Sequence, residues 1–344
     1  MTELLKILPG ENKYINVTWQ VNDWCNFRCS YCNEGNWGGN NLNKDTDKYI
    51  EFLDSLISKY QSFGYESFKF FFSGGEPTYW KSLIPIAKFL HKKCDKPLLA
   101  INTNLSNPLS WWLDNYYYFQ DVVASYHIEY IKYNKYIKNA KFLQDRVNYL
   151  ALRIMMEESR FQECIDIGRK MYSDMDNCVV EWVPLLKDLS VDAEMWDYDE
   201  EWKNDFFKKT DGYMRKWGKV NERRKFKPAY SLEVWSDGKI RPVNSNRLSA
   251  EKLTNFQGWT CFLNDAIFIN TRGDVSAGSC GVSDIFTNIN TWKQEDLENL
   301  GNPVICPKNH CTCGTDVIIP KINPKVYKDV GDYKIIKKEN INAT

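Results

Sequence analysis

Residues 14–32 read YINVTWQVNDWCNFRCSYC: a β-rich run, Tyr14–Gln20, followed closely by Cys25, Cys29 and Cys32 at spacing Cys-x3-Cys-x2-Cys. Three thiols within eight residues share one metal centre or stand as oxidisable thiols. Structural zinc closes with four protein ligands. Three thiolates with no adjacent fourth better suit an iron–sulfur cluster with one open iron. An open iron is a place where a small molecule binds and receives an electron.

Outward from this stretch, strand and helix signals alternate. Helical spacing of apolar residues predicts a helix over Asp45–Gln61, and SFKFFF, Ser67–Phe72, reads as a buried strand ending in glycines. The series continues with helix Ser82–Lys92, strands Pro97–Asn102 and Asp121–Tyr126, helix Tyr133–Leu143, strand Tyr149–Met156, helix Phe161–Tyr172 and strand Cys178–Leu185. Such alternation implies parallel βαβ units. Right-handed crossovers curl six strands into an open α/β partial barrel of the (β/α)6, TIM-like kind. Ligands then bind at the carboxyl ends of the strands.

That edge carries polar residues. Ser73-Gly74-Gly75-Glu76-Pro77-Thr78 follows the second strand. Its glycines allow close backbone approach to a ligand, and Glu76 offers a carboxylate to an ammonium group. Asn102-Thr103-Asn104 after the third strand suits ribose hydroxyls, and the fourth ends in Ser125-Tyr126-His127-Ile128-Glu129. Arg153 in the fifth strand suits a carboxylate, either a ligand's or one in the core. A ligand with ammonium, carboxylate, ribose and an iron-binding end is an amino acid joined to a nucleoside.

Cys25, Cys29 and Cys32, with Tyr31 between the last two, resemble the signature of the radical S-adenosylmethionine (SAM) enzymes. Gly74-Gly75-Glu76-Pro77 resembles that family's second motif. The likeness spans about residues 14–185. It implies a [4Fe–4S] cluster on the three cysteines and SAM chelating the open iron. Reductive cleavage would give a 5′-deoxyadenosyl radical that abstracts a substrate hydrogen. Gly74, Gly75 and Glu76 would hold the methionine amino end, with Tyr31, Asn104, Ser125 and Arg153 as further SAM contacts. An electron donor such as flavodoxin or ferredoxin is implied.

A second group, Cys261, Cys280, Cys306, Cys311 and Cys313, includes the run Cys-Pro-x3-Cys-x-Cys. It resembles the twitch domain, a shortened relative of the SPASM domain, which implies one auxiliary [4Fe–4S] cluster. Such a cluster has four iron corners for five cysteines. Zinc is the competing occupant. Two hairpin signals lie here: SLEVWSDGKIRPV turning at Asp237-Gly238, and AIFINTRGDVSAG turning at Arg272-Gly273-Asp274. The expected layout is a barrel domain over 1–189, a helical connector over 190–229, the auxiliary domain over 230–319 and a surface tail over 320–344.

Lys plus Arg and Asp plus Glu both number 45, and this balance argues against a sequence-independent grip on nucleic acid. The N-terminus has no signal-peptide core, and no run is long enough to span a membrane, so a cytoplasmic setting is expected. In that reducing setting, eleven cysteines are read as metal ligands or core thiols rather than disulfides. Cys94, Cys164 and Cys178 fall inside helix or strand patterns and read as core; His127 reads as a polar wall residue. The aromatics between Trp182 and Trp235 read as core rather than pocket lining. Twenty-four residues precede Cys25, so an N-terminal leader-binding domain is not expected. A small molecule, a sugar or a peptide is the expected substrate, and dehydrogenation, cross-linking or epimerisation the expected outcome. The alternative is a non-catalytic iron–sulfur electron carrier or sensor, which leaves Gly74–Glu76 and Asn104 unexplained.

Overall fold

The computed structural model describes residues 2–9, 14–39, 45–185, 187, 213–216, 231–243, 245, 248, 252–299, 303–311 and 314–326. After a first strand β1 (Leu4–Leu8), five crossovers follow in chain order. They run β2 (Ile15–Asn22), α1 (Thr46–Ser62), β3 (Phe68–Gly74), α2 (Leu83–Lys93), β4 (Leu98–Thr103), α3 (Leu109–Asn115), β5 (Asp121–Tyr126), α4 (Tyr133–Leu143), β6 (Tyr149–Met156), α5 (Phe161–Asp174) and β7 (Cys178–Pro184). Strands β2 to β7 are parallel and adjacent in sequence order. This is the predicted α/β arrangement, and the sheet is open.

The pattern of β3 shows why. Phe68, Phe70 and Phe72 are fully buried beneath the helices, while Lys69 and Phe71 face the other way, into the concave side of the sheet. Helix α1 returns the favour with Tyr49, Phe52, Leu53, Leu56, Ile57 and Tyr60, a stripe at helical spacing. Asp45 caps its N-terminus by accepting from the Lys48 amide at 3.1 Å. Gly64, at φ +84°, ends it with the Tyr65 amide bonded to the Tyr60 carbonyl. Trp182 on β7 packs over α5 at Gly168, where a Cβ would meet its ring at 2.4 Å. Cys94, Cys164 and Cys178 are buried in this core, as expected. Trp182 and Trp235 are buried too; most of the aromatics between them lie outside the described residues.

Beyond β7 comes β8 (Tyr213–Lys216), antiparallel to it; the rest of the expected helical connector lies outside the described residues. Both hairpins form. The first, β9 (Leu232–Trp235) with β10 (Ile240–Pro242), turns at Gly238, φ +82°. The strand β11 (Thr260–Cys261) precedes the second, β12 (Ala266–Ile269) with β13 (Asp274–Ala277), and β14 (Ile285–Asn288) extends it. This second hairpin does not stand apart: β12 pairs in parallel with β2, so the main sheet runs β14-β13-β12-β2-β3-β4-β5-β6-β7-β8. With β15 (Val304–Ile305) and β16 (Lys321–Ile322), the other sheet runs β10-β9-β1-β16-β11-β15. The tail expected on the surface from residue 320 therefore begins as a buried strand, with Lys321 and Ile322 enclosed.

Candidate active site

The cysteine loop leaves β2 and is tied to the ends of three neighbouring strands. At β3, the Gly75 amide donates to the Asn22 carbonyl at 2.9 Å and the Glu76 amide to the Trp24 carbonyl at 2.9 Å. At β4, Asn104 Nδ2 donates to Asn26 Oδ1 at 2.8 Å and approaches Cys25 Sγ at 3.7 Å, while Asn26 Nδ2 donates to Ser106 Oγ at 3.0 Å. After β5, Glu129 accepts from the Ser30 amide at 2.9 Å and from its hydroxyl, and Tyr130 donates to the Arg28 carbonyl at 2.6 Å. Phe27 stacks on Tyr130 with ring centroids 5.2 Å apart. Three thiols on a loop that would otherwise wander are thus held in one place.

The two glycines serve this clamp. Gly74 has φ +118°, and a Cβ there would meet the Asn22 carbonyl oxygen at 2.5 Å; on Gly75 it would meet the Trp24 carbonyl oxygen at 2.0 Å. The close backbone approach predicted for a ligand is, in this structure, an approach to the segment leading into the cysteines. Glu76 also departs from expectation. Its carboxylate is buried and accepts from Thr78 N at 3.2 Å, Thr78 Oγ1 at 2.6 Å, Thr103 Oγ1 at 2.7 Å and Asn104 N at 2.6 Å. Burial raises its pKa and these donors oppose the rise. The side chain locks β3 to β4; what this turn leaves for a ligand is backbone.

Tyr31 stacks on His127, centroids 6.0 Å apart, and its hydroxyl lies 2.9 Å from His127 Nδ1. Cys29 Sγ is 3.3 Å from the same nitrogen. His127 is therefore more than a wall residue: it packs directly behind the loop. Burial lowers it to about 4, so the imidazole is neutral. Burial also pushes Cys25 up to about 11 and Cys29 up to about 12, with neighbouring acidic groups adding to the rise. Metal-free, these are protonated thiols, and metal binding releases their protons. No three His, Cys, Asp or Glu side chains among the described residues converge as a single ion requires. A cluster asks for something different, since each thiolate takes its own iron, and the donor set of this loop fits that.

Ser125, on the concave face of β5, donates to Asn102 Oδ1 at 3.2 Å. Arg153 sits beside it on β6, and its Nε meets the buried Glu181 carboxylate at 2.6 Å. Of the two partners expected for Arg153, the structure supplies the core carboxylate. Nothing local in the sequence marks Ser106, Glu129 and Tyr130 as partners of the distant cysteine loop, or Asn22 and Asn26 as the side chains by which that stretch is tied to β3 and β4.

Cys261 on β11, Cys280 in the turn after β13, and Cys306 and Cys311 after β15 line one small cavity with Lys308, His310, Asp316 and Lys321. Cys313 lies outside the described residues. Asp316 accepts from the Ser279 amide at 3.1 Å and its hydroxyl at 2.8 Å, which fixes the turn carrying Cys280. Burial raises Cys261 to about 11 and Cys280 to about 11, and it raises Cys311 too. Lys321 pulls Cys261 and Cys311 back down, as Lys308 does Cys280. Asp316 opposes the two lysines by pushing all three thiols up; four thiols around one cavity are a donor set that fits a cluster.

Between the sheets lies a cavity of about 450 Å³, lined by the concave side of β2 to β6 and by Gly278, Ser279 and Asp316. On its floor, Asp121 is buried and its Oδ1 has no hydrogen-bond partner. Burial raises its pKa to about 6, against a smaller pull downward from Lys69. The folded state thus holds the proton more tightly than the unfolded chain, and stability falls as pH rises from about 4 to about 6. Asp121→Asn is expected to stabilise the protein by up to ~3 kcal/mol near neutral pH and by almost nothing near pH 4. Denaturant midpoints at the two pH values check this; an equal effect at both would contradict it.

No protein-family model matches the chain, and no curated protein does. Among solved structures, it is similar to BtrN in complex with AdoMet and 2-DOIA (11% identity, TM-score 0.38), covering 84% of this chain and 83% of that one. It is similar to anSMEcpe with bound AdoMet (15%, TM-score 0.49), covering 83% and 80%. A third is SuiB of Streptococcus suis bound to precursor peptide SuiA (14%, TM-score 0.44), covering 83% and 63%.

Proposed function

We propose that this protein is a radical SAM enzyme. The observation that carries the reading is the fixing of the three-cysteine loop to the ends of β3, β4 and β5 by hydrogen bonds through Gly75, Glu76, Asn104 and Glu129. Cys25, Cys29 and Cys32 would hold a [4Fe–4S] cluster. The backbone of Gly74–Glu76, with Tyr31, Asn104 and Ser125, would border bound SAM. When bound, the cluster supplies the electron that splits SAM into methionine and a 5′-deoxyadenosyl radical, which takes a hydrogen atom from the substrate. Residues of the chain orient the partners: Glu76 fixes the turn, Asn104 links it to the cysteine loop, and Glu129 and His127 back the loop from the far side.

Cys261, Cys280, Cys306 and Cys311 would hold an auxiliary cluster, with Cys313 as a further candidate. The turn before Cys280 borders the large cavity through Gly278 and Ser279, which supports an electron path from a substrate radical to that centre and hence a net two-electron oxidation. Epimerisation is the other outcome open to the same radical. Reconstituted protein with SAM and dithionite is expected to form 5′-deoxyadenosine; if protein carrying iron and sulfide forms none, the reading fails. Cys280→Ala is expected to lower the iron content per chain and leave at least part of the 5′-deoxyadenosine formation. Unchanged iron would remove Cys280 from the ligand set.

A further inference from the structure

The 450 Å³ cavity is the size of a small-molecule site. Its wall is mixed. Tyr14, Phe71 and Phe268 give it apolar surface, while Lys69, Asp121 and Arg153 give it charge. The charges are not equally available. Arg153 is held by Glu181. Asp265 accepts from Tyr65 at 2.6 Å, and Asp316 from Ser279. Asp121 differs: it is 7% exposed, it lines the cavity, and its Oδ1 is without a partner. Lys69 is near enough to act on it electrostatically, yet the two form no ion pair. Oδ1 itself is enclosed, so a donor in the cavity would meet the carboxylate on its cavity side, and a cation there would offset part of the cost of burying the charge.

Resting on the radical SAM reading, we propose that this cavity holds the substrate and that Asp121 receives its amino group as an ammonium ion. A carboxylate accepts hydrogen bonds only, so a second acceptor is excluded from this position. The register sets the scale. Asp121 opens β5 and Ser125 lies four residues along it, roughly 13 Å away at strand rise. Ser125 is at the end nearer the cysteine loop. The substrate is therefore an elongated amine whose amino group is anchored far from the carbon that loses hydrogen, at a separation on the order of 10 Å.

The test needs no cluster activity. In the full chain, n-pentylamine is the probe and pentanoate, of equal length, its control. Titration calorimetry is expected to show pentylamine binding at least tenfold more tightly than pentanoate. Asp121→Asn, which removes the charge and keeps the shape, should erase that preference. Val123→Phe should block the cavity while leaving the carboxylate, and abolish amine binding. Equal binding of the two probes, an unchanged preference in Asp121→Asn, or full amine binding in Val123→Phe would each overturn the proposal. If 5′-deoxyadenosine forms but pentylamine does not bind, Asp121 loses its role while the radical reading stands. If pentylamine binds as expected and no 5′-deoxyadenosine forms, the amine site stands and the reaction assigned to it falls.

Discussion

Cys29→Ala is expected to reduce 5′-deoxyadenosine formation by the reconstituted protein to the level of protein-free controls. Cys29 is the most buried of the three clustered thiols, set against His127 Nδ1 at 3.3 Å on the loop held by Glu129. Without it two protein thiolates remain for a cluster that reads as three-coordinate by protein, and an iron held by no thiolate is lost or exposed. Cys94→Ala provides the comparison. Cys94 is equally a buried cysteine, but it belongs to the hydrophobic core. Its truncation should cost on the order of 1 kcal/mol in stability and leave both iron content and 5′-deoxyadenosine formation in place. Cleavage retained in Cys29→Ala would contradict the ligand assignment.

Gly75→Ala should be nearly as damaging, through one methyl group. The new Cβ would stand 2.0 Å from the Trp24 carbonyl oxygen and 2.6 Å from that of Asn36, both backbone atoms. Relief requires the segment before Cys25 to move. That breaks the Gly75 amide bonds to Asn22 O at 2.9 Å and Oδ1 at 3.1 Å, and the Glu76 bond to Trp24 at 2.9 Å. The Gly75 N–H is shared between its two acceptors, so two donors are lost, about 2 kcal/mol at about 1 kcal/mol each. The larger consequence is at the loop, which loses its tie to β3, so iron per chain should fall with stability. Gly64→Ala separates the two effects. Gly64 has φ +84° but open space around it, so alanine there costs about 1–2 kcal/mol of backbone strain and should leave iron content unchanged. Normal iron loading in Gly75→Ala would show that the clamp is dispensable.

The crossover series was legible because each element carries its own signal. Asp121–Tyr126, Tyr133–Leu143 and Tyr149–Met156 fall where the sequence places them. The three cysteines and Gly74-Gly75-Glu76 were likewise visible as motifs. What local pattern cannot carry is partnership across the chain. Leu4–Leu8 is too short to declare itself, and it becomes a strand because β9 and β16 flank it. The main-sheet position of β12 follows from pairing with β2, some 250 residues earlier. Glu76 and Arg153 show the same limit at the site. Their charge was plain from sequence, but their partners, Thr103 with Asn104 and Glu181, are set by neighbouring strands.

The pairing of β1 with β16 has a consequence for how the protein is made. Residues 4–8 are synthesised long before either neighbour: β9 follows at residues 232–235, and β16, on the other side, only at residues 321–322. Cys261 lies on β11, the strand on the other side of β16, so its sheet is completed at that same late moment. Such a pairing of distant segments makes for slow assembly. Iron delivered during synthesis would thus meet the Cys25 loop, with its nearby supports at β3 to β5, well before it could meet a finished second site.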